Sequence, residues 1–194
     1  MSLRVVFLLI TFILSIGCQK NNDVEVSSDT ALKDDILISF DECSGKIGDH
    51  PCDFTFKNQN GEDWQLYKNH GNIILLDFST MWCGYCQISA QKSEDIHTKY
   101  KSDNFIWVTI LIEDSYGSEP DQADINQWAN TFGIEESDVL MGNRSIIDAT
   151  GESGFPVTAW PTFIIIDESM TIRSGIRGWS EQAIIELIEN ELYN

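Results

Sequence analysis

From Asp35 onward, the alternation of apolar and polar runs divides the chain into short strands and longer helices. "NIILLDFS", Asn72 to Ser79, and "FIWVTILIE", Phe105 to Glu113, are continuous apolar runs of strand length. Continuous runs suit central strands covered on both faces, since a sheet with one wet face alternates. Between them, Gly84 to Tyr100 carries no proline and no interior glycine. This predicts a helix with Ile88, Ala90, Ile96 and Tyr100 as its buried stripe. "SEPDQADINQWANTFG" predicts a second helix, with Pro120 in its first turn and Gly133 as its stop. "TFIIID", Thr162 to Asp167, and "TIRSGIRG", Thr171 to Gly178, predict two strands around a short polar turn. "SEQAIIELIENEL" has apolar residues at helical spacing behind a Ser180 cap, which predicts a closing amphipathic helix. Upstream, "DFTFK" and "WQLY" flank Asn60-Gly61, the signature of a tight hairpin. "DILISF", Asp35 to Phe40, predicts a short first strand.

Strands alternating with helices, followed by a final hairpin and helix, define an α/β fold with a mixed central β-sheet flanked by helices. The two long apolar strands are expected to lie parallel, joined by the helix between them.

The N-terminus follows another pattern. "MSLRVVFLLITFILSIGC" has one early positive charge, Arg4, and then an apolar stretch from Val5 to Ile16. A membrane-spanning helix needs about 20 apolar residues, so this stretch has the length of a signal-peptide core. "LSIGC" resembles the lipobox of bacterial lipoproteins, with Gly17 before the cut and Cys18 as the lipidated residue. It departs from that pattern at Ser15, where leucine is usual; Leu14 lies one position further out. The other reading is an ordinary cleaved signal that leaves Cys18 as a free thiol. The expected organisation is a lipoprotein-type signal peptide over 1–17, a polar tether with a first strand over 18–45, and one domain over 46–194. Export would place that domain in the bacterial cell envelope, periplasm-facing and held to the membrane by a lipid anchor on Cys18. Disulfides form and persist there.

Composition narrows the partners. The 194 residues carry a formal net charge of -19, which would repel a phosphate backbone, so nucleic acid is not an expected partner. With Cys18 assigned to lipid, Cys43, Cys52, Cys83 and Cys86 remain of the five cysteines. "TMWCGYCQ", Thr80 to Gln87, puts two of them three positions apart, where a buried strand hands over to a helix. A redox couple, half of a metal site and two buried thiols all begin this way. Zinc is disfavoured, because Cys43 and Cys52 lack the close spacing of a zinc knuckle. His50, His70 and His97 read as ordinary surface histidines. No metal and no cofactor is expected. As a redox couple, Cys83 would sit at the helix N-terminus, where unpaired N–H groups and the dipole stabilise an anion. That lowers a thiol pKa from about 8.5 toward neutrality. Cys86, about one turn deeper, would resolve the mixed disulfide formed on Cys83.

"LLDFSTMWCGYC" followed downstream by "WPTFIIID" resembles the thioredoxin superfamily. The upstream "IGDHPCDFTFKNQNGEDWQLYKNHGNIILLDFS" is similar to the N-terminal hairpin of envelope thiol–disulfide oxidoreductases of the TlpA/ResA type, which peroxiredoxins share. The resemblance covers about Lys46 to Asn194. It implies a thioredoxin-like fold with that hairpin as an extension and an insertion before a cis-proline. It implies Cys83 as nucleophile, Cys86 as resolving thiol, Trp82 packed beside them and Pro161 in the cis form. The backbone of Trp160 would pair with an extended substrate, and Asp77 would relay a proton to or from Cys86. The implied partners are protein thiols and disulfides of the envelope and an upstream electron donor, with the chain acting as a monomer and more as reductase than oxidase.

Two departures stand out. Gly84-Tyr85 replaces the Gly-Pro of thioredoxin, and Trp160 is bulkier than the usual threonine or valine. The stretch from Asp114 to Thr158 is longer than in a minimal thioredoxin and holds "DVLMGN" and the glycine-rich "DATGESGF". It reads either as an insertion beside the active site or as a surface elaboration. "CSGKIGDHPC" makes a loop-closing disulfide between Cys43 and Cys52 feasible, with a second redox relay or free thiols as the other readings. Two competing functions remain open. A thiol peroxidase would use Thr80, three residues before Cys83, but Leu76 stands where peroxiredoxins carry a proline. A redox-inactive binding module would keep the fold alone.

Overall fold

The computed structural model describes residues 38–193. The hairpin forms as β1 (Thr55–Lys57) and β2 (Asp63–Gln65), antiparallel, with Phe56 opposite Trp64 and Gly61 supplying positive φ in the turn. The first apolar run becomes β3 (Ile73–Thr80), buried at every position. The predicted helix is α1 (Gly84–Tyr100), and the second run is β4 (Phe105–Glu113). Then come α2 (Gln122–Phe132), β5 (Asp138–Met141), β6 (Thr162–Ile166), β7 (Ile172–Arg177) and α3 (Glu181–Tyr193). The central sheet has the order β5-β4-β3-β6-β7. β3, β4 and β5 run parallel, and β6 pairs antiparallel with both β3 and β7, so the sheet is mixed as expected.

Side chains of β3 alternate between two cores, as the pleat requires. Ile74, Leu76 and Phe78 face the hairpin side with Trp64, Leu66, Tyr67, Phe155 and Val157. Ile73 and Leu75 face the helix side with Trp107, Phe163, and Ile96, Tyr100, Ile184 and Ile188 from α1 and α3. Each fully buried Ile or Leu here stabilises the fold by about 1.5–3 kcal/mol. This alternation decides where the site lies, since Asp77 and Ser79 share the helix-facing register of Leu75.

Several expectations are corrected. Ile38–Phe40 is not a strand; Asp35 to Leu37, the signal segment and Cys18 lie outside the described residues. The Phe40 ring stacks on His50 at 3.5 Å and meets Tyr67 edge-on, so its apolar character serves ring packing. Ile38 and Phe40 pack against the hairpin-side core. Pro120 precedes the cap of α2 rather than lying in its first turn. Asp121 is the cap, in a reciprocal capping box with Asp124, and Gly133 ends the helix in the left-handed region. Ile88 is exposed; the buried face of α1 uses Cys86, Ser89, Ala90, Ser93, Ile96, His97 and Tyr100 instead. His97 is buried, not superficial. Its Nδ1 accepts the backbone N–H of Trp107, which lies just before the β4–β5 pairing begins at Val108. "DVLM" is not part of a surface insertion but the edge strand β5.

Each sheet edge is covered in part. On the outer side of β5, Asn58 bridges to Leu140, and Gln59 accepts the Val139 N–H and donates to the Ser137 carbonyl. On the outer side of β7, the Gly48 N–H donates to the Ile172 carbonyl and the Ile172 N–H donates to the Asp49 carbonyl. Cys43 and Cys52 are bonded, with Cα atoms 4.8 Å apart, and close the loop that carries these residues. Inside it Gly45 presses on Gly154, where an added Cβ would fall 2.0 Å from the Gly154 carbonyl oxygen. Only glycine permits that approach.

Candidate active site

β3 ends at Thr80 against the last residue of β4, with the Met81 N–H donating to the Glu113 carbonyl. The chain then turns sharply, the Cys83 N–H donating to the Thr80 carbonyl, and enters α1. Cys83 is the N-cap of that helix, with extended backbone dihedrals, and its sulfur accepts the Cys86 N–H at 3.2 Å. The cap position thus puts a sulfur where a serine or aspartate oxygen would normally satisfy the first turn. Cys83 and Cys86 are bonded, their Cα atoms 5.2 Å apart. Cys83 is 8% exposed and Cys86 fully covered, so the first cysteine alone borders solvent. Trp82 and Tyr85 stand out on either side, both exposed.

The peptide bond between Trp160 and Pro161 is cis, just ahead of β6. Trp160 packs against the cluster that contains Cys83, Cys86, Met81 and Trp128, which brings the Pro161 turn to the cysteines. Sequence reasoning missed two residues here. Glu113, buried at the end of β4, accepts the Trp82 indole N–H at 2.8 Å through one oxygen. Its other oxygen accepts from Arg144, whose Nε lies 2.8 Å away and whose second contact is closer still. The Arg144 guanidinium also lies 5.9 Å from the centre of the Trp160 ring. Glu113 therefore ties together the tryptophan before Cys83, the insertion, and the tryptophan before Pro161. One signal was present in the sequence: Arg144 is the sole arginine between Arg4 and Arg173.

Asp77 lies in the middle of β3, opposite Thr109 in β4 and Phe163 in β6, and is completely buried. Ser79 donates to one carboxylate oxygen at 2.6 Å and Ser89 of α1 donates to the other at 3.2 Å. Burial pushes its pKa up to about 7, and the two hydroxyls hold it back from rising further. Thr80 Oγ1 is buried with no hydrogen-bond partner among the described residues. Cys43 and Cys52 form a separate disulfide in the loop against β7, apart from this constellation. Among the described residues no group of three or more His, Cys, Asp or Glu side chains is gathered to hold a metal ion. No helix among them is long and apolar enough to cross a membrane.

Known proteins resemble this chain in sequence and fold. The thiol-disulfide oxidoreductase ResA of Halalkalibacterium halodurans is 23% identical over 150 residues, covering 77% of this chain and 79% of the relative. A solved thiol:disulfide interchange protein of the thioredoxin family from Chlorobium tepidum superposes with a TM-score of 0.60 at 18% identity, covering 80% of this chain and 99% of that one. The exposed lipoprotein thioredoxin of Streptococcus pneumoniae superposes with a TM-score of 0.58 at 21% identity, over 72% of this chain and 99% of that one. These superpositions identify the thioredoxin-like fold. The model of the AhpC/TSA family matches residues 47–174, from the disulfide-closed loop to the middle of β7, and the chain belongs to that family.

Proposed function

We propose that this chain is a thiol–disulfide oxidoreductase of the bacterial envelope that reduces protein disulfides through Cys83 and Cys86. One observation carries the reading: the Cys83 sulfur caps α1 and accepts a backbone N–H from its first turn, with Cys86 sealed behind it. In the reduced protein that N–H and the helix dipole stabilise a thiolate on Cys83. The thiolate attacks a substrate disulfide, forms a mixed disulfide and expels one substrate thiolate. Asp77 takes the proton of Cys86. The Cys86 thiolate then attacks the Cys83 sulfur, closing the Cys83–Cys86 bond and releasing the second substrate sulfur, which takes up a proton. Two electrons pass to the substrate, and a dithiol donor upstream restores the couple. An extended substrate segment lies along the backbone of Trp160, beside Pro161 and the exposed Trp82.

The pairing of Cys43 with Cys52 supports a structural role for that disulfide, since the loop it closes packs on β7 and on Gly154. The Streptococcus protein is named an exposed lipoprotein, which supports the envelope setting and a lipid anchor on Cys18 behind a signal peptide over 1–17. The protein acts as a monomer in this reading.

Two measurements test it. Cys86→Ser should hold partner proteins as mixed disulfides on Cys83, removable by dithiothreitol. Equilibration with dithiothreitol should give a potential near that of thioredoxin, about -270 mV, rather than the value near -120 mV of a strong periplasmic oxidant. Absence of trapped partners together with an oxidising potential would overturn the reductase. The family match and Thr80, three residues before Cys83, favour a second reading as a thiol peroxidase. Peroxide turnover matching that of a known peroxidase would put it first.

A further inference from the structure

Serine is an odd choice for the inner face of a helix. A buried hydroxyl without a partner is costly, and alanine fills such a position without that cost. Ser89 lies three residues after Cys86 on the covered face of α1, and Ser79 lies two residues after Asp77 on the same face of β3. Both are fully buried. Their hydroxyls explain one another through Asp77, since each donates to a different oxygen of that carboxylate, at 2.6 Å from Ser79 and 3.2 Å from Ser89. The carboxylate is thereby fixed from both sides, and one of its anchors is on the helix that carries Cys86, a single turn away.

Nothing else on the neighbouring elements favours the charged form of Asp77. Thr109 is its partner in β4 and Phe163 its partner in β6, and no charged side chain acts on it. Burial opposes ionisation, and the two hydroxyls alone offset it.

We propose that Ser79 and Ser89 are positioning residues for proton transfer at Cys86. They orient the Asp77 carboxylate against α1, one turn beyond Cys86, and keep it able to ionise at neutral pH. The inference rests on the reading of Asp77 as the base of the proposed exchange. In the resolving step the Cys86 S–H bond breaks and its proton passes to Asp77. The sulfur then forms a bond to Cys83 as the bond between Cys83 and the substrate breaks, and the departing thiolate takes up a proton. Without the serines the carboxyl would stay protonated and could not accept the proton of Cys86.

The experiment compares wild type, Ser79→Ala, Ser89→Ala, Ser79→Thr and Asp77→Asn. Two quantities are followed against pH. One is the titration of the Asp77 carboxyl carbon by NMR in reduced protein. The other is the single-turnover rate at which a preformed mixed disulfide on Cys83 releases a model peptide thiol. Losing a hydroxyl that donates to a charged group should raise the Asp77 titration by about one unit or more in Ser79→Ala. The limb of the release profile should move by the same amount, slowing release at pH 7 by about fivefold. Ser89→Ala should move both by less, given its longer bond, and Ser79→Thr should restore both. A release limb that Asp77→Asn abolishes but both serine variants leave in place overturns the serine role alone. A carboxyl titration that moves while the release profile stays fixed overturns the reading of Asp77 as base and the positioning role with it.

Discussion

Replacing Asp77 by Asn should stabilise the folded protein in a manner that depends on pH. In the unfolded chain the carboxyl titrates at its ordinary 3.8, whereas in the folded chain burial moves it to about 7. Between those values the folded chain holds a proton that the unfolded chain has lost. Raising the pH therefore pulls the equilibrium toward the unfolded state. What the neutral acid contributes is fully present below about pH 4 and is gone above about pH 7. The shift is about three units, and at 1.36 kcal/mol per unit the full loss is roughly 4 kcal/mol. That is a large share of the 5–15 kcal/mol typical of a domain. Asparagine carries no charge at any of these values, so its curve lacks this component. The assay is urea unfolding of the oxidised wild type and of Asp77→Asn from pH 4 to pH 8.5. The difference in stability should widen in favour of the variant as pH rises, flattening above about pH 7.5. Other carboxylates act equally on both proteins and cancel in the difference. Two parallel curves would refute the reasoning, because a buried acid cannot be raised in the folded state without this linkage.

Breaking the outer disulfide with a Cys43→Ser, Cys52→Ser double variant should cost roughly 2–3 kcal/mol by loop entropy, read in urea, while exchange through Cys83 persists. Gly45→Ala should destabilise by about 2 kcal/mol or more, because its Cβ would strike the Gly154 carbonyl, whereas Gly84→Ala meets open space and should leave thermal unfolding unchanged. Glu113→Ala removes the acceptor for both Trp82 and Arg144 and should cost about 1–3 kcal/mol. The same variant should raise the KM for protein disulfides more than it changes the alkylation of Cys83, and equal effects on both would argue against a role in shaping the groove.

The frame of the sheet was legible because β3 and β4 are covered on both faces, and two-sided burial leaves an uninterrupted apolar run. The couple at Cys83 was legible because spacing and its place at a strand–helix junction carry most of its chemistry. The inner face of α1 was legible at Ala90, Ile96 and Tyr100 but not at Ser89 and Ser93, since serines occupy positions where a pattern search expects leucine or isoleucine. The polarity of Ser89 is satisfied by Asp77, an interaction between residues 12 apart that no window along the chain reveals. The link between Glu113 and Arg144 spans 31 residues and exists only once the chain has folded. β5 was obscured because it contributes only four residues at a sheet edge, too few for a period to register. The apolar character of Ile38–Phe40 suggested pairing, but the Phe40 ring is spent on His50 and Tyr67.

A protein that exchanges disulfides with other proteins meets chains whose own strands seek partners. An open rim on its sheet would offer them a template and turn each transient encounter into a growing aggregate. The backbone of Asn58 and the side chain of Gln59 shield one rim here, and the cystine-closed loop shields the start of the other. The covered stretches of rim thus leave fewer free backbone groups for a passing chain to pair with, while Cys83 still borders solvent.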